Sequence, residues 1–210
     1  MIRATVTLLA GLLAVTGLAS AAPQQQVTIG AQPRDLARDR RLTLYGSIPS
    51  PLAKQIVTLQ ARDCGQSSFH DVAKVPTSVG GRYSWEYFYP GITADIRAVW
   101  KGQRSAPVRV RDRAFVELRR GPDGVYRVSV RAKWPFKGKR AQLQRLTQGG
   151  WVTVRSVTLT KSGVPPGVSY VYSTGRVSVE VPARTLLRAV FPRAQARPCY
   201  LAGYSNMLRA

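Results

Sequence analysis

Few residues in this chain could carry out nucleophilic or acid–base catalysis. Cys64 stands six residues before His70, the single histidine, and Asp71 follows directly. A Cys–His pair with an orienting carboxylate can be imagined from this spacing. The surrounding residues match no local motif of a cysteine hydrolase or transpeptidase, and His70 is expected at a strand edge with Cys64 in the preceding loop. We therefore expect a non-catalytic, exposed histidine and no enzymatic activity.

Metal and cofactor sites are also poorly supported. One histidine and two cysteines exclude a multi-histidine site and a four-cysteine zinc site. Asp63, His70 and Asp71 do not form a convincing metal-ligating pattern. Glu86 and Glu180 occupy matching positions of a repeat described below, which favours a structural role over glycoside hydrolysis. Phosphate-binding glycine loops are absent, so we expect no metal and no cofactor.

The charge is the strongest remaining signal. Lys and Arg number 32 against 10 acids, for a formal net charge of +22. The densest basic segment lies at 131–140, which we place in a loop between two strands. Its cations could bind phosphates or sulfates while its rings supply stacking. The candidate binding residues are Arg131, Lys133, Trp134, Phe136, Lys137, Lys139 and Arg140.

The candidate ligands are teichoic acids, anionic head groups of lipids and extracellular DNA. Two alternatives remain open for the segment. High-GC codon usage can raise the arginine content wherever a solvated face tolerates it, and Trp134 or Phe136 can close the end of a core. The charge is unevenly shared: residues 22–111 hold 13 Lys and Arg against 6 acids, and residues 112–210 hold 18 against 4. The second half is therefore the strongly basic one.

The N-terminus has the pattern of a secretory signal peptide. Arg3 precedes a short apolar stretch, and Ala19-Ser20-Ala21 fits a small-residue cleavage site. The stretch is short for a membrane anchor, which needs about 20 apolar residues. We expect residues 1–21 to be removed, leaving a secreted or cell-envelope protein without a transmembrane segment. Intracellular nucleic acid is then not the expected partner.

The chain after the signal peptide contains an internal repeat. Residues 81–87 (GRYSWEY) match 175–181 (GRVSVEV), and 96–100 (IRAVW) match 187–191 (LRAVF). A looser match joins 57–61 (VTLQA) to 141–145 (AQLQR). Three matches in the same order indicate two copies of one unit. We place the domains at 22–111 and 112–210.

Each copy has the alternation of β-strands. Tyr83, Trp85 and Tyr87 alternate with Arg82, Ser84 and Glu86, which is the period-2 pattern of a half-buried strand. Gly- and Pro-rich turns separate such runs. For the first copy we expect seven strands, near 27–30, 41–47, 55–62, 69–75, 82–88, 94–100 and 106–111. About seven strands per copy predict an antiparallel sandwich.

These motifs resemble the immunoglobulin-like modules of secreted and surface proteins of bacteria. The shared pattern is 57–60 (VTLQ), an aromatic after a short loop (Phe69, Trp151), Gly-Arg-x-Ser, Arg-Ala-Val-aromatic, and a closing Ser-x-x-aliphatic. The arginine bias and the Ala-rich leader look like those of a high-GC actinobacterium. The resemblance implies an all-β protein with two tandem seven-stranded antiparallel immunoglobulin-like or fibronectin-III-like β-sandwiches.

For function the same resemblance implies only an extracellular module. We expect a non-catalytic structural or adhesion role at the cell envelope, with anionic cell-envelope polymers or another surface protein as partners. The chain departs from antibody-type domains, because it lacks their paired cysteines and strand-C Trp. A transthyretin-like topology is the alternative. Polyanion binding through the basic second domain is the alternative function.

The two cysteines lie in different copies at non-equivalent positions. If consecutive strands alternate in direction, the loop at 63–68 and the loop at 192–203 both lie at the end where the two copies meet. Oxidising compartments favour pairing. We therefore predict a Cys64–Cys199 disulfide between the copies, the alternatives being two free thiols or a bond between molecules.

Overall fold

The computed structural model describes residues 26–36, 41–88 and 91–210. The predicted signal peptide lies outside the described residues. Within these ranges the regular structure is β apart from one short helix, α1 (Arg193–Ala196). No helix long and apolar enough to cross a membrane occurs in them. The predicted all-β class is therefore confirmed.

The first half of the chain forms two sheets. The three-stranded sheet has the order β1 (Gly30–Gln32), β3 (Arg41–Ser47), β6 (Arg82–Phe88). The six-stranded sheet has the order β2 (Asp35–Leu36), β9 (Val108–Asp112), β7 (Ala94–Trp100), β4 (Ile56–Asp63), β5 (His70–Pro76), and β8 (Gln103–Arg104) pairs with β7. Most of these strands coincide with the predicted ones to within two residues.

The second half forms two further sheets. The four-stranded sheet has the order β10 (Phe115–Arg120), β11 (Tyr126–Ala132), β15 (Val171–Val177), β14 (Lys161–Gly163). The five-stranded sheet has the order β13 (Gly150–Thr158), β12 (Arg140–Thr147), β16 (Leu186–Phe191), β17 (Gly203–Tyr204), and β18 (Leu208–Arg209) pairs with β16. In the described chain, no sheet combines strands from before and after β9.

Alternating apolar residues form two hydrophobic clusters. Leu59 and Ile96 are fully buried in the cluster of the first half, and Leu143 and Leu187 in the cluster of the second. Each buried side chain of this size contributes about 1.5–3 kcal/mol to folding. Ile92 precedes β7 in the chain but belongs to the second cluster. The two halves therefore meet through apolar contact near Ile92.

Two of the three repeated segments occupy the same place in both halves. Leu59 of β4 lies opposite Ala98 of β7, and Leu143 of β12 lies opposite Ala189 of β16. The register with the next strand shifts immediately after Leu59 and immediately after Leu143. The sequence match thus reports a shared strand pair with a shared irregularity.

The third match is wrong as a structural alignment. Gly81 precedes strand β6, whereas Gly175 lies inside β15, which ends at Val177. Glu86 is consequently in a strand and Glu180 is not. The residues after Val177 still alternate, since Val179 packs against the second cluster. The alternation that produced the match is real, but it continues beyond the hydrogen-bonded strand.

The purely antiparallel expectation is also wrong in one place. Strand β2 pairs with β9 in parallel, with Asp35 opposite Arg111. Pro33 has no amide hydrogen, so the pairing of β1 with β3 cannot continue past Gln32. The chain instead crosses to the second sheet, where Leu36 is fully buried. A two-residue strand is too short to show as an alternating pattern.

Gly175 gives a testable consequence of the sheet packing. A Cβ at this position would lie 2.3 Å from the carbonyl oxygen of Thr158, which is backbone and cannot rotate away. We expect Gly175→Ala to lower the free energy of unfolding by about 1–3 kcal/mol, measured by chemical denaturation. Gly163→Ala is the matched control, because a Cβ there meets no atom within 4 Å. Equal effects of the two variants would contradict the close approach.

Candidate functional site

The predicted disulfide is present at the junction of the two halves. Cys64 directly follows β4 and is bonded to Cys199, with the two Cα atoms 5.5 Å apart and a sequence separation of 135. The amide of Cys64 donates to the carbonyl of Thr93, and the amide of Thr93 donates to the carbonyl of Cys199. The prediction from strand direction is confirmed. Backbone hydrogen bonds hold the two cysteine loops in place around the bond.

Side chains of the second half reach across the junction as well. The Nζ of Lys133 lies 2.6 Å from Oδ2 of Asp63. The hydroxyl of Tyr200 donates to the carbonyl of Gly91 at 2.9 Å and accepts from the amide of Lys133 at 3.0 Å. Asp63 is mostly buried and Lys133 is partly exposed, so the pair is less screened than a fully exposed ion pair. Covalent, apolar and charged contacts therefore act at one place.

The basic segment at 131–140 is only partly a loop. Arg131 belongs to β11 and Arg140 to β12, so the connection itself is 133–139. Three cations of the basic segment at 131–140 are exposed, two in the connection and one at the start of β12: Lys137, Lys139 and Arg140. We call these the loop cations. The prediction that they bind a polyanion stays a prediction.

Other members of the segment make contacts within the protein. Phe136 is buried, with its ring 4.7 Å from that of Phe191. The ring of Trp134 lies against Gly65, where an added Cβ would come within 2.7 Å of it. Lys133 is held by Asp63, as described above. Phe136 therefore closes the end of the core, and Trp134 and Lys133 serve the junction.

Cys64 is not available as a nucleophile, and His70 lies at the protein surface. Cys64 has its sulfur in the disulfide, which removes the thiolate that a nucleophile needs. His70 is exposed at the start of β5. Within the described residues, no group of three or more His, Cys, Asp or Glu side chains could hold a metal ion.

A cleft of about 310 Å³ lies beside the disulfide and contains a charge cluster. Asp95 of β7 accepts hydrogen bonds from Arg109 at 2.7 and 3.0 Å and from Arg62 at 3.0 Å. The Arg109 hydrogen bond is the main reason that the pKa of Asp95 lies below its ordinary value, and burial opposes it. Two guanidinium groups share one carboxylate, so the cluster keeps one net positive charge while both oxygens of Asp95 are engaged within it.

An arginine recurs on the outer face of the same strand pair in both halves. The Nε of Arg97 donates to Gln60, and the Nε of Arg188 donates to Gln144, each at 2.9 Å. Each guanidinium also stacks on an aromatic ring. The Cζ of Arg97 lies 3.9 Å from the centroid of Phe69, and the Cζ of Arg188 lies 4.2 Å from the centroid of Trp151. The Arg-Ala-Val-aromatic motif and the aromatic after the loop thus meet in a stacking contact, which is a structural use of two arginines.

The four-stranded sheet of the second half carries a charged surface that the sequence interpretation missed. Arg119 of β10 lies opposite Arg127 of β11, and Arg127 lies opposite Arg176 of β15. All three are exposed. We call them the arginine row. The turn at 121–124 is a hairpin signal that could have placed Arg119 beside Arg127, but Arg176 is about 50 residues further along the chain.

Comparison with known proteins identifies no family for this chain. No family model matches it, and no curated protein matches it. One similar structure is a mouse coronavirus receptor-binding domain complexed with its murine receptor, with 13% identity, 88% of this chain and 98% of that chain covered, and a TM-score of 0.28. Another is the chicken CNTN1 FN1–FN3 domains, with 12% identity, 89% and 67% covered, and a TM-score of 0.25. TM-scores this low support no argument about fold or function.

The Asp95 cluster predicts a pH-dependent stability. A carboxylate whose pKa is lower in the folded than in the unfolded protein stabilises the folded state at a pH above its unfolded pKa of about 3.9. This stabilisation is lost as the pH falls through the pKa of the folded state. We expect Asp95→Asn to lower the free energy of unfolding by about 1–2 kcal/mol at pH 7. This figure is kept below that of a fully buried ion pair because solvent screens both arginines, whose side chains are partly exposed. The difference from the unmodified protein should shrink below about pH 4.

Asp71→Asn is the control for this measurement. Asp71 is an exposed carboxylate that accepts a hydrogen bond from the uncharged Gln60. Its replacement should change stability by less than about 0.5 kcal/mol. Denaturant titrations at several pH values give the comparison, and a pH-independent effect of Asp95→Asn would contradict the account of the cluster.

Proposed function

We propose that this chain is a secreted, non-catalytic module protein with a structural or adhesion role at a cell envelope. In this proposal residues 22–111 and 112–210 are two tandem β-sandwich domains of the immunoglobulin-like or fibronectin-III-like kind, in an actinobacterial type of protein. The observation that carries the proposal is the cross-linked junction, because a catalytic protein needs a reactive site, whereas a structural module needs a defined shape.

The strand orders support two related domains. The order β9-β7-β4-β5 in the first half corresponds to β17-β16-β12-β13 in the second, and β1-β3-β6 corresponds to β10-β11-β15. Of the seven matched strands, each half therefore places the first, second and fifth in one sheet and the third, fourth, sixth and seventh in the other. This partition is the one expected for a fibronectin-III-like sandwich.

The disulfide and the leader support secretion. Disulfides form and persist in oxidising compartments outside the cytoplasm. Residues 1–21 have the charge, apolar stretch and cleavage pattern of a signal peptide. Both features lead to the same expectation, since a chain that is exported would fold where Cys64 and Cys199 can be oxidised.

Export can be tested on the full chain expressed in a bacterial host with a periplasm. We expect the recovered protein to begin at or near Ala22 and to contain a peptide cross-linked through Cys64 and Cys199 under non-reducing mass spectrometry. Recovery of uncleaved protein in the cytoplasmic fraction with both thiols free would contradict this part of the proposal.

The junction predicts a fixed relation between the two halves. In Cys64→Ser/Cys199→Ser we expect each half to remain folded, because each has its own core, while the angle between them broadens. Small-angle scattering should show a wider distribution of maximum dimension for the variant than for the oxidised protein. Loss of a cross-link over 135 residues should also lower the free energy of unfolding by up to about 4–5 kcal/mol.

A third sample separates the covalent bond from the loss of the cysteines themselves. The unmodified protein after reduction should behave like the double-serine variant in both scattering and stability. Identical scattering curves for oxidised, reduced and double-serine proteins would show that the disulfide does not set the shape, and would remove the main support for a rigid module.

A second candidate function is the binding of an extracellular polyanion by the basic half. It is favoured by the uneven charge, since residues 112–210 carry 18 Lys and Arg against only 4 acids. A partner rich in phosphate or sulfate would be attracted to this half rather than to the first. Anionic cell-envelope polymers satisfy this requirement.

A further inference from the structure

The arginine row is an unusual arrangement for a sheet that has no ligand. Arg119, Arg127 and Arg176 stand side by side on three neighbouring strands, which are about 5 Å apart. Like charges directly opposite one another destabilise a sheet. Three in succession therefore cost stability that an anion bound above them would restore.

Nearby acids offset only part of this charge. Glu117 pairs with Arg119 at 2.8 Å. Asp123, in the turn after β10, accepts from the amide of Val125. Arg120 adds a fourth cation to the same end of the sheet. Four guanidinium groups thus face two carboxylates, and the end of the sheet keeps a net positive charge.

Among the described residues, the corresponding face of the first half has no row of three cations. The two central outward rows of its three-stranded sheet are Gln32–Thr43–Glu86 and Gly30–Tyr45–Ser84. The first half nevertheless contains 13 Lys and Arg. The rows at the two ends of this sheet hold one arginine each, Arg41 opposite Phe88 and Arg82 opposite Ser47. Single cations therefore occur on both faces, whereas the alignment of three arginines in one row distinguishes the second half among the described residues of these two sheets.

The surface around the row is concave and offers hydroxyl groups. A cleft of about 360 Å³ is lined by all three arginines of the row together with the turn at 121–124. A second cleft of about 270 Å³ shares Arg119 and Arg127. Its other lining residues are Glu117, which is paired with Arg119, and three hydroxyl-bearing residues: Ser129, Tyr172 and Thr174. The two clefts therefore form one path along the strands, from guanidinium groups to hydroxyl groups.

Arg131 and two aromatic rings that contact it lie at the other end of these clefts. Arg131 lies four residues beyond Arg127 on β11, about 14 Å along the strand. Its guanidinium covers the rings of Phe115 at 4.1 Å and Tyr170 at 4.8 Å. These contacts occupy ring faces that a nucleobase would need for stacking. The path thus suits a ligand with repeated anionic groups and without bases.

We infer that the outer face of β10, β11 and β15 binds a linear polymer of polyols joined by phosphodiesters, with the arginine row on its phosphates and the hydroxyl-bearing residues on its polyols. Guanidinium groups bind phosphate oxygens in a bidentate manner. Successive outward rows are about 7 Å apart, so an extended polymer can place phosphates over the arginine row and over Arg131. This inference rests on polyanion binding as a function of the second half, and it replaces the loop cations as the site.

Two triple variants with equal charge changes test the site. Arg119→Gln/Arg127→Gln/Arg176→Gln removes the row, and Lys137→Gln/Lys139→Gln/Arg140→Gln removes the loop cations. Binding of poly(glycerol phosphate) is measured by titration calorimetry on the oxidised, signal-peptide-free protein at several salt concentrations. The row variant should bind about tenfold or more weakly and lose about 2 units of the salt-dependence slope. The loop variant should change less than about threefold.

The folded state of the row variant is checked in the same samples. Since repulsion is removed, its melting temperature at low salt should equal or exceed that of the unmodified protein. Single Arg127→Gln, which changes one side chain in the middle of the row, should give a smaller loss of affinity in the same direction. An equal or larger loss in the loop variant would overturn the site while leaving polyanion binding in place.

Three other outcomes have defined meanings. No binding by the unmodified protein at low salt would overturn the polyanion function itself. Tighter binding of base-containing single-stranded DNA, in parallel titrations at matched phosphate concentration, would overturn the polymer class. Tighter binding of heparin would likewise replace phosphodiesters by sulfates as the ligand chemistry.

Discussion

The contact between the two halves is the constraint on which the rest of the structure depends. The Cys64–Cys199 bond joins the loop after β4 to the segment before β17, and Thr93 hydrogen-bonds to both cysteine residues beside it. Ile92 packs into the cluster of the second half. Since each half has a separate core, these contacts at one end of each half are what relates one half to the other.

The same junction determines which basic residues remain at the surface. Lys133 forms an ion pair with Asp63, and the ring of Trp134 packs against Gly65. Phe136 is enclosed by the second cluster. Several residues of the basic segment at 131–140 are therefore engaged in contacts within the protein. The four-stranded sheet, in contrast, places exposed cations from strands that are distant in sequence next to one another. The count of charged residues in each half shows that the second half is the more basic one. Strand pairing shows which cations of that half are adjacent.

Much of the fold follows from local patterns. Alternation in 82–88 and 94–100 predicts β6 and β7 with the bounds observed, and strand direction predicts the disulfide. The failures have a common physical cause. Opposition of Arg127 and Arg176 and the early end of β15 are both decided by partners tens of residues away. Alternation states which residues share a face, but it does not state which strands are neighbours.

The central claim is that one cross-linked junction makes the two halves a single rigid body. Residual dipolar couplings of backbone amides, measured for the oxidised protein in a weakly aligning medium, test this most directly. The account predicts that couplings from residues 42–110 and from residues 114–204 fit one alignment tensor with the same magnitude and orientation. Two tensors of clearly different magnitude would show that the halves reorient independently and would contradict the claim.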